Sequence, residues 1–232
     1  MKNNNLGWGF KRIQGELAKL VIYLDTKTIW NILKSYRNKG KVTTSLTWKK
    51  FLQTHIDTIY AMDFFTVDTI LNKRFYVYFI IHHKTREIMQ FAICQNPVKE
   101  FVRQQLIIFK EQIDDTIYMI HDRTGEFQQK YIDYGIKAIK TSVKAPDMNA
   151  IAERVIRTIR QEALDNFIIV SQNQLQRILS EYILFYNTRR PHQSLEQDSP
   201  LGYQSRSSGT IQSRPVLGGL IHDYFRAVEV RM

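Results

Sequence analysis

"IDTIYAMDFFTVDTILNKRFYVYFIIHHKTREIMQFAICQ", residues 56–95, decides the fold. It holds three runs rich in β-branched and aromatic residues, "IDTIYAMDFFTVDTI", "RFYVYFIIHH" and "REIMQFAICQ". Only "LNKR" and "HKTR" separate them. Links this short join antiparallel strands, because a parallel crossover needs about a dozen residues or more. The stretch therefore predicts three consecutive antiparallel strands.

Downstream the period changes. "PVKEFVRQQLIIFKEQI" opens on Pro97 and carries Phe101, Leu106, Ile108 and Phe109, the pattern of an amphipathic helix. A short strand "TIYMIHD", a helix around 126–134, a short strand "IKAIKT", a helix over 149–164 and a long helix over 172–187 follow. Three hairpin-linked strands and then alternating helices and strands predict an α/β domain, a mixed five-stranded sheet with helices on both faces. Upstream, "FKRIQGELAKL" spaces Ile13, Leu17 and Leu20 along one face, and "DTKTIWNILKSY" starts on Asp25, suited to an N-cap. Two short helices so joined fit a helix-turn-helix or any small αα-hairpin. The expected organisation is a helix-turn-helix-like segment over 1–36, a basic linker over 37–54, a core over 55–198 and a Ser/Gly/Pro-rich tail over 199–232. Trp8, Trp30 and Trp48 are expected to anchor packing.

The 232 residues are 44% hydrophobic, enough for a real core. No run of about 20 apolar residues and no signal-peptide core occurs, which argues against a membrane span and points to the cytoplasm. Cys94 is the single cysteine, so an internal disulfide and a thiolate zinc site are excluded. Formal net charge is +11, which fits either a generically basic protein or one that binds polyanions by displacing counterions from phosphates. The excess is local. Between residues 123 and 160, Arg123, Lys130, Lys137, Lys140, Lys144, Arg154, Arg157 and Arg160 outnumber Glu126, Asp133, Asp147 and Glu153.

Three acids fall where acids are costly or oddly framed. Asp63 interrupts the apolar first strand, Asp122 closes the fourth, and Glu153 lies one turn into a helix. A desolvated carboxylate needs a partner or a metal. Were the first and fourth strands neighbours, Asp63 and Asp122 would converge, and a helix across that edge would add Glu153. Such hard oxygen donors suit Mg²⁺ or Mn²⁺. The bland alternative for Glu153 is an exposed ion pair with Arg157 at i+4, worth about 0.3–0.5 kcal/mol. The helix itself puts Ala152, Val155, Ile156, Ile159 and Ala163 in one apolar stripe about 100° wide, leaving Arg154, Arg157 and Arg160 on the side of Glu153. Asn149 sits where a residue capping this helix would sit.

Four stretches in order carry a family resemblance. "AMDFFTV", "IHDRTGEF", "KAPDMNAIAERVIRTIRQEALD" and "YNTRRPHQSL" resemble the integrase core of retroviral-type DDE recombinases, including bacterial insertion-sequence transposases. The resemblance implies an RNase H-like core, with Asp63, Asp122 and Glu153 as catalytic metal ligands for two Mg²⁺ or Mn²⁺ ions. It implies DNA cleavage and strand transfer, with Lys144, Arg154, Arg157 and Arg160 holding phosphates of element-end or target duplexes, and a homo-oligomer on DNA. Thr124 stands where close relatives often carry a further Asp, and the interval from Asp122 to Glu153 is shorter than in retroviral members. Full-length relatives often have more DNA-binding sequence upstream, so two alternatives stay open: a truncated, non-catalytic DNA-binding remnant, and a metal-dependent nuclease that cuts without joining.

Overall fold

Asp25 ends the first turn of the chain by capping a helix, its Oδ1 accepting the Thr28 N–H at 2.6 Å. That bond starts α2 (Thr26–Asn38), which packs on α1 (Phe10–Ala18). Among the described residues of the two helices, Ile13 and Ile29 are buried. Gln14 on α1 donates to the Leu24 carbonyl at 2.8 Å and fixes the turn between them. Trp30 corrects an expectation: it is 44% exposed, with the Lys34 ammonium 4.5 Å from its ring centre. A third helix, α3 (Trp48–His55), occupies the end of the stretch read as a linker. With only two turns, its Trp48–Phe51–Leu52 spacing is too short to stand out as a period.

The computed structural model describes residues 10–20, 22–38, 48–121, 135–140 and 149–227, and the chain divides into the units Met1–His55 and Ile56–Met232. In the second unit, β1 (Ile59–Asp68), β2 (Arg74–His82) and β3 (Ile88–Cys94) pair antiparallel in succession. After α4 (Lys99–Lys110), the strands β4 (Ile117–His121) and β5 (Ile136–Lys140) add in parallel to the other side of β1. The spatial order is β3-β2-β1-β4-β5, a mixed five-stranded sheet. The helix expected around 126–134 lies outside the described residues.

Alternation along the strands assigns the two faces. Tyr60 and Met62 of β1, Tyr78 and Ile80 of β2, and Ile117 and Met119 of β4 meet Val102, Leu106 and Phe109 of α4 in one buried cluster. Each such side chain contributes about 1.5–3 kcal/mol through burial. Odd-numbered residues of β1 turn to the opposite face. There α5 (Ala150–Glu162) packs on β1 and buries Ala152, Val155 and Ile159; of the rest of the expected stripe, Ala163 is buried and Ile156 half-buried. Helices thus cover both faces. No helix among the described residues is long and apolar enough to cross a membrane.

The long helix α6 (Gln172–Thr188) closes the edge of the sheet. Ser171 caps it, accepting the Gln174 N–H at 3.2 Å. At its other end, buried Asn187 donates to the Ile88 carbonyl and accepts the Ile88 N–H, both at 3.0 Å. One side chain thereby supplies β3, an edge strand, with the pairing of a missing neighbour strand.

The stretch 199–232, expected as a tail, contains a hairpin of β6 (Ile211–Val216) and β7 (Ile221–Arg226). Its turn runs through Leu217, Gly218 and Gly219 at φ 53°, 69° and 98°, a left-handed path that glycine makes accessible. Buried Asp223 accepts from Arg189 at 2.7 Å and from Arg214 at 3.0 Å, while Glu181 of α6 accepts the Leu217 N–H at 2.6 Å. These polar anchors are invisible to hydrophobic periodicity, which is why the segment read as tail.

Replacing Asn187 by Ala strands two backbone groups of Ile88, at roughly 1–3 kcal/mol for each buried group left unpaired. Urea denaturation is expected to show Asn187→Ala losing about 2–6 kcal/mol, and a loss below about 0.5 kcal/mol would remove the strand-mimic role.

Candidate active site

A carboxylate in the middle of the central strand needs partners, and both oxygens of Asp63 accept hydrogen bonds. Oδ1 accepts the Phe64 N–H at 2.8 Å, and Oδ2 accepts from Asn149 Nδ2 at 2.9 Å. Its side chain is half-buried on the face covered by α5. The parallel pairing of β1 with β4 places Ala61 opposite Ile120. Asp63 is two residues beyond Ala61, and Asp122 is two residues beyond Ile120 in the chain. Asp122 itself lies outside the described residues, as does Lys144. β1, which bears Asp63, and β4, which ends one residue before Asp122 in the chain, are neighbours.

Glu153 is the fourth residue of α5, and its N–H donates to the Asn149 carbonyl at 3.1 Å, one turn of helix. Its carboxylate is exposed and forms no ion pair among the described residues. The i+4 pair with Arg157, the bland account of this residue, is not formed. Arg154 and Arg157 are likewise exposed. Arg160 differs, because its Nη2 donates to the Thr66 carbonyl at 2.6 Å and its guanidinium lies 5.6 Å from the Phe65 ring centre. It fastens α5 to β1, as well as adding charge to this side.

Asn149 occupies the N-cap position of α5, at φ −112° and ψ 10°, yet its side chain makes no capping bond. The amide goes to Asp63 instead, which corrects the expected capping role. Its Oδ1 is buried and has no partner among the described residues. The sequence signal for this contact was available in principle: Asn149 precedes Glu153 by four residues and so shares its side of the helix. The acids flanking Asp63 are otherwise engaged. Asp68 pairs with Arg74 through two bonds of 2.7 and 3.0 Å, and Asp57 with Lys84 at 2.6 Å, both at exposed positions.

Among the described residues, no three His, Cys, Asp or Glu side chains cluster closely enough to hold a metal ion. The two described members of the expected set, Asp63 and Glu153, are oxygen donors, and the spare Asn149 amide oxygen adjoins Asp63. This donor chemistry fits a hard divalent cation such as Mg²⁺ and not a thiolate or imidazole metal.

Comparison with known proteins agrees with this architecture. Residues 134–200 match the family model described as an integrase core domain. No curated protein matches the chain in sequence at a significant level. Among solved structures, a simian T-cell lymphotropic virus intasome in complex with PP2A regulatory subunit B56 gamma aligns with a TM-score of 0.51 and 10% identity, over 74% of this chain and 67% of that one. The HTLV-2 integrase catalytic core domain in complex with magnesium, in its dimeric form, gives 0.50 and 8% identity over 63% and 94%. The Mos1 transposase catalytic domain with raltegravir and Mg gives 0.50 and 10% over 66% and 78%. At these identities the likeness is one of fold, the RNase H-like fold of integrase and transposase cores. The resemblance read from the four motifs is thus supported by sequence over residues 134–200 and by fold over the sheet and its helices.

The bond between Asn149 and Asp63 carries a direct test. A hydrogen bond to a charged group contributes about 1.5–3 kcal/mol. Asn149→Ala and Asp63→Asn are therefore expected to be non-additive in urea denaturation, with a coupling of about 0.5–3 kcal/mol. Strict additivity would mean that the contact contributes nothing.

Proposed function

We propose, from the premise of an integrase core domain on an RNase H-like fold, that this protein is a DDE-type polynucleotidyl transferase that cleaves DNA and joins a DNA 3′ end to a target. The observation that carries this reading is the Asn149 bridge, which ties the central-strand carboxylate of Asp63 to the helical turn bearing Glu153. Asp122, next in the chain after the last residue of β4, supplies the third carboxylate. Together the three would hold two divalent cations, which when bound activate an attacking oxygen and stabilise a leaving one.

The chain's own residues account for the remaining requirements. Phe64 N–H and Asn149 Nδ2 fix the Asp63 carboxylate, so that its orientation is set before any substrate arrives. Glu153 is exposed and forms no ion pair among the described residues, so none of those contacts has to break for it to meet a ligand. Arg154 and Arg157, with Lys144 from the preceding segment and Arg160 beside β1, hold the DNA phosphates and so position the scissile bond. In the first step water attacks a phosphodiester, a P–O bond forms, and the bond to the leaving 3′ oxygen breaks. In the second step that freed 3′-hydroxyl attacks a target phosphodiester in the same way. The Met1–His55 helices are assigned to recognition of element ends, and the active form to a homo-oligomer assembled on DNA.

Purified protein is expected to cut and join end-containing duplexes in Mg²⁺ or Mn²⁺. Asp63→Asn, Asp122→Asn and Glu153→Gln should each reduce both steps to the metal-free background while leaving DNA affinity within about threefold, since one neutralised carboxylate removes no phosphate contact. Cleavage without joining of a labelled 3′ end would make it a nuclease. Binding with neither step would make it a DNA-binding remnant.

A further inference from the structure

On α5, about 100° around the helix from Glu153, Arg154 faces a cavity whose other arginines, Arg86 and Arg190, have no part in the proposed chemistry. The cavity measures about 430 Å³ and is lined by Arg86, Arg154, Tyr186, Arg190, His192 and Gln193, among others. Three separate parts of the fold supply its cations: the β2–β3 turn, α5, and the segment that follows α6.

The charges do not balance. Arg190 is neutralised by Glu162, which accepts from both its Nε and Nη2. Arg86 and Arg154 have no carboxylate partner among the described residues. Arg154 is exposed, which is unremarkable for an arginine, but Arg86 is half-buried. Among the described residues, its guanidinium donates from Nη1 to the His83 carbonyl at 2.5 Å. Burial lowers the Arg86 pKa, Tyr186 opposes that shift, and the charge of Arg154 adds to it. The backbone at Arg86 is also in the left-handed region, at φ 64°, a conformation that costs a non-glycine residue about 1 kcal/mol or more. A strained turn thus holds a half-buried guanidinium beside a second one, neither with a carboxylate partner among the described residues. Both are planar forks of N–H donors, the geometry that recognises tetrahedral oxyanions.

We propose that this cavity is a phosphate-binding site, in which Arg86 and Arg154 grip one phosphate group and Arg190, locked by Glu162, forms a wall. The favoured source is a DNA backbone phosphate. That assignment rests on the strand-transfer reading, because a strand passing Glu153 can seat a neighbouring phosphate on the adjoining side of a helix only about 10–12 Å across. Free phosphate or a mononucleotide would satisfy the same chemistry.

The full chain separates these sources without any need for catalysis. In EDTA, duplex affinity is followed by fluorescence anisotropy from low to moderate salt. Arg86→Gln and Arg154→Gln should each lessen the slope of log K against log salt, and the double variant should lessen it by about 0.9, the loss of one phosphate contact. Arg86→Lys, which keeps the charge, should retain the slope. In parallel, inorganic phosphate and a deoxynucleoside monophosphate are tested for their effect on Tm at constant ionic strength. Reduced slopes without a phosphate-dependent Tm shift identify DNA as the ligand. Unchanged slopes, with a Tm rise in the native chain that Arg86→Gln abolishes, support the site but assign it to free phosphate. Unchanged slopes and no Tm shift overturn the proposal. Exposed Arg154 carries the test if Arg86→Gln fails to fold. Lost cleavage with reduced slopes intact would sink the strand-transfer reading alone, and active cleavage with unchanged slopes and no Tm shift would sink the cavity alone.

Discussion

Asp63 lies midway along a strand that is hydrogen-bonded on both sides and covered by helices on both faces. A carboxylate so placed loses much of its water, and the loss is costly unless other groups replace it. The Phe64 amide and the Asn149 side chain do so. Because Asn149 begins α5, the bond that stabilises the carboxylate also sets where that helix enters. The apolar stripe of Ala152, Val155 and Ile159 then fixes its rotation, and rotation leaves Glu153 exposed next to Asn149. A polar requirement of one strand residue and an apolar requirement of one helix face therefore combine to build the site.

The far end of the domain depends on a second set of polar contacts, concentrated in "YNTRRPHQSL". Asn187 completes the backbone pairing of Ile88, and Arg189 binds Asp223 of the hairpin. Arg190 joins Glu162 at the end of α5, which also accepts from the Tyr182 hydroxyl at 2.7 Å. Burial raises the pKa of Glu162, but the bonds from Arg190 and Tyr182 outweigh it and hold the group below its ordinary value. His192 is buried, with Nε2 3.3 Å from the Tyr186 carbonyl and its ring edge-on to Tyr186. This motif is a clamp. It locks α5 to α6 and both to the edge strand, and it walls the arginine cavity.

Legibility followed the kind of force involved. The three antiparallel strands, the apolar stripe of α5 and the Asp25 cap could be read because periodicity and capping are local. The helix α3 was missed because two turns hold too few apolar residues to make a period. The hairpin over 211–226 was missed because buried polar bonds from α6 hold it, and its few apolar anchors form no repeat. Trp30 was misplaced because aromatic size suggests burial while only packing decides it.

The site divides along the same line. From the sequence alone came three carboxylates framed by strand, strand and helix, and a basic helix face, because a charge interrupting an apolar run is visible in one dimension. Tertiary structure alone decided that β1 and β4 are parallel neighbours, that Asn149 turns from capping to Asp63, and that Arg86 joins Arg154 beside a cavity. Arg86 and Arg154 are 68 positions apart in the chain, and Asn149 and Asp63 are 86 apart. The Asn149–Asp63 bond answers the cost of leaving a half-buried carboxylate without partners, and the two arginines meet only because the β2–β3 turn and α5 pack side by side, neither of which a local pattern records.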